Sequence, residues 1–177
     1  MKSKRALLLA IGLFFASGHA RPFAQTPERW QLSSNAAGGY AVLVPGPLQA
    51  REPTTDKGGT AHTFVTNMSG MVYIVAYSDI SYDLTNVPKE LDAARDAFVQ
   101  GIKASLVSEH RFLSLQPVGQ VMASEFVCQS AEQECRARTY FYGKRRGYMI
   151  AVVNRRGSGS LSDSARFLDS FQIVTPR

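Results

Sequence analysis

The stretch from His110 to Asn154 constrains the fold more than any other, because it holds four strand-like runs separated by short turns. The runs are rich in β-branched and aromatic residues, as strands are. They cover His110 to Val118, Val121 to Cys128, Arg136 to Tyr142 and Tyr148 to Asn154. Three short turns in succession predict an antiparallel meander.

Two cysteines flank the second of these turns. The segment between Cys128 and Cys135 is mainly polar, and a turn of that length brings two paired strands close enough for their thiols to bond. A zinc site needs four ligands, and a redox motif needs the spacing Cys-x-x-Cys. The sequence offers neither pattern, so we predict a structural disulfide between Cys128 and Cys135.

Two segments show helical periodicity. The first begins at Pro88, and its apolar stripe comprises Leu91, Ala94, Phe98, Ile102 and Leu106. This spacing predicts one long helix over about residues 88–107. The second segment, over about residues 160–171, begins with Ser160 as its N-cap. Its apolar stripe comprises Leu161, Ala165, Leu168 and Phe171.

Further strands are predicted before the first helix. One covers Tyr40 to Val44, and a hairpin joins Thr60–Asn67 to Met71–Ser78 through a turn that contains Gly70. The element order is strands, helix, strands, helix. We therefore predict an α+β fold, in which helices pack on a mainly antiparallel sheet.

The first 20 residues have the pattern of a secretory signal peptide. Basic residues precede an apolar run from Ala6 to Ala16 that is too short to span a membrane, and small residues favour cleavage after Ala20. We expect residues 21–29 to be a linker and residues 30–177 to form one domain, periplasmic or secreted, without a transmembrane anchor. This mature part carries 17 basic and 14 acidic residues, and so mild a charge does not favour nucleic acid.

Two short motifs resemble those of PsbP-like domains and their bacterial DcrB-like relatives. The run Gly39-Tyr40-Ala41-Val42-Leu43-Val44-Pro45 resembles their opening strand, and Arg166-Phe167-Leu168-Asp169-Ser170-Phe171-Gln172-Ile173 resembles their closing helix. The resemblance extends over about Trp30 to Val174. It implies an α-β-α sandwich with a non-catalytic role. No metal-binding or partner-binding residue is carried over from the family, because no position here matches a functional motif. We expect no cofactor.

Few residues suggest catalysis. His62 and His110 are the candidate bases, and Asp79 and Asp83 have a spacing suited to acid–base chemistry, although a solvated loop before the helix has the same composition. No nucleophile elbow or phosphate-binding loop occurs in the sequence. A hydrolase is therefore the least favoured function. Asn67 lies in a glycosylation sequon, which matters only in a eukaryotic secretory pathway.

The most suggestive candidate site is a group of cations and tyrosines around the last hairpin. Alternate residues of a strand project from one face, so we expect the arginines and tyrosines of the strand from Arg136 to Tyr142 to lie together. The predicted partner-binding residues are Arg136, Arg138, Tyr140, Tyr142, Lys144, Arg145, Arg146, Arg155 and Arg156. A second interpretation is a soluble hairpin whose arginines pair with Glu132, Glu134 or helix carboxylates.

We therefore expect an exported, non-enzymatic binding or assembly domain that acts on a protein or envelope partner of acidic character. The alternative is a carrier of a small apolar ligand or lipid, held between the helix over residues 88–107 and the sheet.

Overall fold

The computed structural model describes residues 30–81 and 85–175. The predictions for the signal peptide, the linker and Asp83 lie outside these residues. The described chain forms, in order, β1 (Gln31–Asn35), β2 (Tyr40–Val44), β3 (Gln49–Ala50), β4 (Thr54–Asp56), β5 (Gly59–Met68), β6 (Met71–Ile80), α1 (Val87–Gly101), β7 (Ser105–Gln116), β8 (Gly119–Gln129), β9 (Gln133–Tyr142), β10 (Arg146–Arg155), α2 (Leu161–Asp169) and β11 (Gln172–Ile173).

An eight-stranded antiparallel sheet forms the centre of the molecule. Its order is β3-β5-β6-β10-β9-β8-β7, and β4 also pairs with β5. The predicted meander is confirmed, because β7, β8, β9 and β10 pair in succession. Helix α1 connects β6, in the middle of the sheet, to β7 at its edge. Strands β1, β2 and β11 form a separate three-stranded sheet.

Each face of the central sheet has its own core. Side chains alternate along a strand, so β6 and β10 supply both cores. On one face, called the α1 face, helix α1 covers a largely aliphatic cluster that includes Ile74, Phe98 and Met149. On the opposite face, called the α2 face, helix α2 and the small sheet cover an aromatic cluster that includes Tyr40 and Phe171.

The predicted α+β fold, an α-β-α sandwich with one long helix, is wrong. The described part of the chain is mostly β, and its two helices have only 15 and 9 residues. Helix α1 ends at Gly101 because Lys103 turns into the left-handed region, with φ 54°. The Ala104 N–H then donates to the Val99 carbonyl at 3.0 Å, which closes the helix as a Schellman motif does. Leu106, which continues the apolar spacing, therefore lies on β7 and is 43% exposed.

Helix α2 is also shorter than predicted, although its start is confirmed. The Ser160 hydroxyl accepts a hydrogen bond from the Asp163 N–H at 3.2 Å, as an N-cap does. The buried stripe differs from the predicted one, because Leu161 is 80% exposed and Phe167 is fully buried. The helix ends before residue 171, and the Ser170 hydroxyl there accepts a hydrogen bond from the Leu43 N–H at 2.9 Å. That bond ties the end of α2 to the small sheet.

The predicted disulfide is confirmed. Cys128 and Cys135 lie opposite each other on β8 and β9, with their Cα atoms 5.0 Å apart, and their sulfurs are bonded. Both are buried in the core of the α1 face. Of the helices in the described ranges, neither is long and apolar enough to cross a bilayer.

Candidate functional site

The nine predicted binding residues lie in three separate places. Arg136, Arg138, Tyr140 and Tyr142 are on β9, whereas Lys144, Arg145 and Arg146 form the tip of the β9–β10 hairpin. Arg155 and Arg156 lie at the opposite end of β10. At about 3.4 Å per residue, the two ends of β10 are about 30 Å apart. The nine residues therefore do not form one continuous patch.

The two β9 arginines hold a carboxylate between them on the α2 face. Arg136 Nε donates to Glu125 Oε1 at 2.8 Å, and Arg138 Nε donates to Glu125 Oε2 at 2.5 Å. Arg138 also donates to the Asp169 carboxylate at 2.7 Å and to the Leu168 carbonyl at 3.0 Å, both at the end of α2. This network fastens α2 to the central sheet, and we call it the Glu125 clamp.

Electrostatics in the clamp favour the ionised carboxylate. Burial by itself would raise the pKa of Glu125, whose side chain is only 8% exposed. Hydrogen bonds from Arg138 and Arg136, together with their charges, outweigh that effect and lower the pKa below its ordinary value of 4.5. The clamp arginines thus already have a carboxylate partner.

Tyr140 belongs to the core. Its ring is 1% exposed and stacks on Phe171 with the ring centres 5.2 Å apart. Burial raises the pKa of its hydroxyl. Tyr142 is half-buried and packs against the aromatic cluster of the α2 face. A partner on the surface therefore cannot use Tyr140 as a contact.

The hairpin tip, which we call the basic turn (residues 143–146), is anchored through Arg146. One guanidinium nitrogen donates to the Ala37 carbonyl at 2.8 Å, and the other donates to the Asp79 carboxylate. The guanidinium also lies over the Tyr77 ring, 5.1 Å from its centre. The Ile80 N–H donates to the Arg145 carbonyl at 2.8 Å. The turn is thus fixed to β6 and to the β1–β2 turn, and Lys144 and Arg145 have exposed side chains.

At the other end of β10, Arg155 and Arg156 lie beside an open cleft of about 690 Å³. The disulfide loop forms one wall, because the Arg156 N–H donates to the Glu132 carbonyl at 2.9 Å. Glu132 is thus a near neighbour of these cations along the backbone.

The two candidate histidines are far apart in the sheet order. His62 on β5 stacks on Tyr77, with ring centres 4.5 Å apart, and its Nε2 is 3.8 Å from an Asp79 carboxylate oxygen. His110 lies on β7, the opposite edge, and stacks on Phe112. Within residues 30–81 and 85–175, no three His, Cys, Asp or Glu side chains are grouped as metal ligands would be.

The space predicted for an apolar ligand is filled by side chains. Leu91 and Phe98 of α1 are both 0% exposed against the sheet. A cavity of only about 10 Å³, lined by residues that include Ala94 and Phe141, lies between this helix and the strands. Ligand pockets usually measure several hundred Å³. This geometry does not favour the carrier hypothesis.

Sequence reasoning missed Glu125 and Asp79 as acidic partners of the basic residues. Glu125 lies in a run of otherwise small or apolar residues, from Val121 to Cys128, and a carboxylate in such a strand usually has a charged partner. That signal points to pairing but does not identify the partner. The pairing of Asp79 with Arg146 joins residues 67 positions apart, so it depends on the strand order.

Comparison with protein-family models gives no match, and no curated protein matches the chain. One solved structure with some similarity is a crystal structure from Bacteroides thetaiotaomicron, with 14% sequence identity and a TM-score of 0.38. The alignment covers 79% of this chain and 46% of that one, so this chain spans about half the length of that protein. Similarity at this level indicates neither fold nor function. The resemblance to PsbP-like domains stays a prediction.

Proposed function

We propose that this chain is an exported, non-enzymatic binding domain that docks an acidic protein partner through the basic turn, with Lys144 and Arg145 as the contact residues. The anchoring of Arg146 to Ala37, Asp79 and Tyr77 carries this proposal. A turn that is already fixed loses little conformational entropy on binding, so its exposed charges contribute more to affinity.

A further exposed cation, Lys57, lies near the basic turn. The Ser81 hydroxyl donates to the Lys57 carbonyl at 2.7 Å, which places the exposed Lys57 beside the end of β6. Asp56, in the same turn, accepts hydrogen bonds from the N–H groups of Gly58 and Gly59. Lys57, Lys144 and Arg145 thus lie at one end of the sheet. Such a surface speeds association with an acidic partner.

The experiment compares two charge reversals of equal size. Lys144→Glu with Arg145→Glu alters the basic turn, and Arg155→Glu with Arg156→Glu makes the same change about 30 Å away. All four side chains are exposed, so we expect both variants to keep the thermal stability of the unaltered protein. Arg146 is left unchanged because it anchors the turn.

Each protein is immobilised and used to capture partners from its native envelope extract at low and high salt, with identification by mass spectrometry. We expect the unaltered protein and the Arg155/Arg156 variant to capture the same acidic protein at low salt and release it at high salt. The Lys144/Arg145 variant should retain at least about tenfold less of it. Equal capture by all three proteins, or no acidic protein captured by the unaltered one, would contradict the proposal.

A further inference from the structure

Strand β7 is a long open edge of the central sheet. Among the described strands, β8 alone pairs with its 12 residues, on one side. The opposite edge is formed by β3 and β4, which have only 2 and 3 residues and are interrupted by Pro53. Alternate residues of an edge strand direct their N–H and C=O groups outward, where they can pair with another strand.

Exposed apolar side chains are concentrated on the same strand. Four of the six large hydrophobic residues exposed in the described chain lie on β7. They are Leu106, Val107, Leu113 and Leu115, with exposures of 43%, 55%, 62% and 83%. They lie near the two ends of β7, where a strand paired along this edge would cover them.

We infer that β7 pairs antiparallel with β7 of a second copy of this chain, about a two-fold axis at His110. In this register, Glu109 lies opposite Arg111 of the second copy, and the symmetry repeats that pair of unlike charges. Val107 lies opposite Leu113 of the second copy, so two exposed apolar residues cover each other. Opposite charges and aromatic or aliphatic pairs across strands stabilise pairing.

The neighbouring registers are less favourable. A shift of the axis to Glu109 or to Arg111 would place like charges directly opposite each other, which destabilises strand pairing. A slip of one residue would put the axis between two residues. Each side chain of the α1 face would then lie opposite a side chain of the α2 face of the second copy. The sequence of β7 is therefore self-complementary in the register centred on His110.

A bulge sets the extent of the regular ladder. The pairing of β7 with β8 shifts between Leu106 and Ser108, so Val107 is the irregular position. The regular ladder of the dimer thus comprises residues 108–112 of each copy. The pairs of Val107 with Leu113 cover its two ends.

The α1 face leaves room for this pairing. Helix α1 packs mainly on β8 and β9, one strand or more inside the edge. With strands about 4.8 Å apart, the two copies of α1 would lie about 19 Å from each other, which is more than a helix diameter of about 10 Å. Glu109 already accepts a hydrogen bond from Arg95, and Arg111 already donates to Asp92. Pairing of the two strands would therefore join these four side chains of one copy with the same four of the second copy into one charged network.

A cysteine at the axis tests the register. His110→Cys would face itself across the axis, and side chains directly opposite in a sheet are near enough for a disulfide. Leu115→Cys is the control, because Leu115 is 83% exposed but its two copies would be about 34 Å apart. We expect mild oxidation to give a covalent dimer with His110→Cys and none with Leu115→Cys. Equal cross-linking of both variants would overturn the inference.

Sedimentation of the unaltered chain tests the dimer without a new thiol. We expect a monomer–dimer equilibrium that depends on concentration and that Leu113→Lys shifts at least about tenfold toward monomer. Leu161→Lys, which replaces an exposed leucine on α2, should leave the equilibrium unchanged. The inference would be overturned if the unaltered protein stayed monomeric up to about millimolar concentration. A dimer whose equilibrium did not change with Leu113→Lys would overturn it as well. Neither outcome depends on the basic turn, so the two proposals can fail separately.

Discussion

The two faces of the central sheet are fastened to their covering layers by different means. On the α1 face, one helix packs on aliphatic side chains, and a disulfide is buried in the same core. On the α2 face, the covering layer is a small sheet with a nine-residue helix, and the core between is aromatic. There the Glu125 clamp and hydrogen bonds such as that of the Tyr148 hydroxyl to the Gly38 carbonyl, at 3.0 Å, fix the layer.

The difference follows from what each layer can bury. Helix α1 presents a continuous apolar stripe, which needs only complementary aliphatic packing. The small sheet and α2 offer little apolar surface each, since β1 is mainly exposed and α2 is short. Large rings supply much buried area per residue, and charged hydrogen bonds add orientation. We therefore expect the two faces to respond to different perturbations.

The largest expected effect comes from removing one buried ring from each face. Phe98→Ala on the α1 face and Phe171→Ala on the α2 face should each lower the free energy of unfolding by about 3–5 kcal/mol. Both rings are almost fully buried, at 0% and 3% exposure. Since β6 and β10 supply both cores, urea unfolding of either variant should show one transition. Two separate transitions would mean that the faces are independent.

Loss of the disulfide should have the next largest effect, and it acts on the α1 face. A closed loop of this length stabilises a fold by about 2–3 kcal/mol. Cys128→Ala with Cys135→Ala should therefore lower the free energy of unfolding by about that amount. Reductant should destabilise the unaltered protein and leave the double variant unchanged. A double variant as stable as the unaltered protein would show that the bond contributes little.

The smallest of the three effects concerns the α2 face and depends on pH. Because folding lowers the pKa of Glu125, its ionised carboxylate contributes fully to the free energy of unfolding above pH 4.5. That stabilisation is lost as the pH falls through the lowered pKa. Glu125→Gln should lower the free energy of unfolding by about 1–2 kcal/mol at neutral pH. Under acid conditions the deficit should shrink. Glu132→Gln, in the exposed disulfide loop, is the control. If Glu125→Gln lowered the free energy of unfolding equally at neutral and at acid pH, the result would argue against the Glu125 clamp.

Local patterns predict much of the central sheet. The runs from His110 to Asn154 are rich in β-branched and aromatic residues and are separated by short turns, which is enough to give four strands. The spacing of the cysteines is enough to give their bond. The end of α1 is not predictable in the same way, because a left-handed Lys103 closes the helix where glycine is the usual residue. The apolar spacing continues to Leu106 and favours a longer helix than the chain forms.

The candidate site was predicted less well, because the roles of its residues depend on long-range pairing. Strand periodicity places Arg136 and Arg138 on one face, as found. It does not reveal that Glu125, opposite Arg138 on the neighbouring strand, accepts hydrogen bonds from both. Likewise, Lys144, Arg145 and Arg146 look equivalent in the sequence. The structure identifies Arg146 as the anchoring arginine through its contact with Asp79, on β6.

The route of the chain from β6 through α1 to the far edge also bears on how fast the molecule folds. Each strand of the meander from β7 to β10 pairs with a strand next to it in the sequence. Strand β6, by contrast, pairs with β10, and Asp79 pairs with Arg146 across 67 residues. Such distant pairing is slow because a long loop must close first. Until then the apolar β6 has one open side and is prone to aggregation. A nascent chain would thus benefit from a chaperone that shields residues 71–80 until the last hairpin is complete.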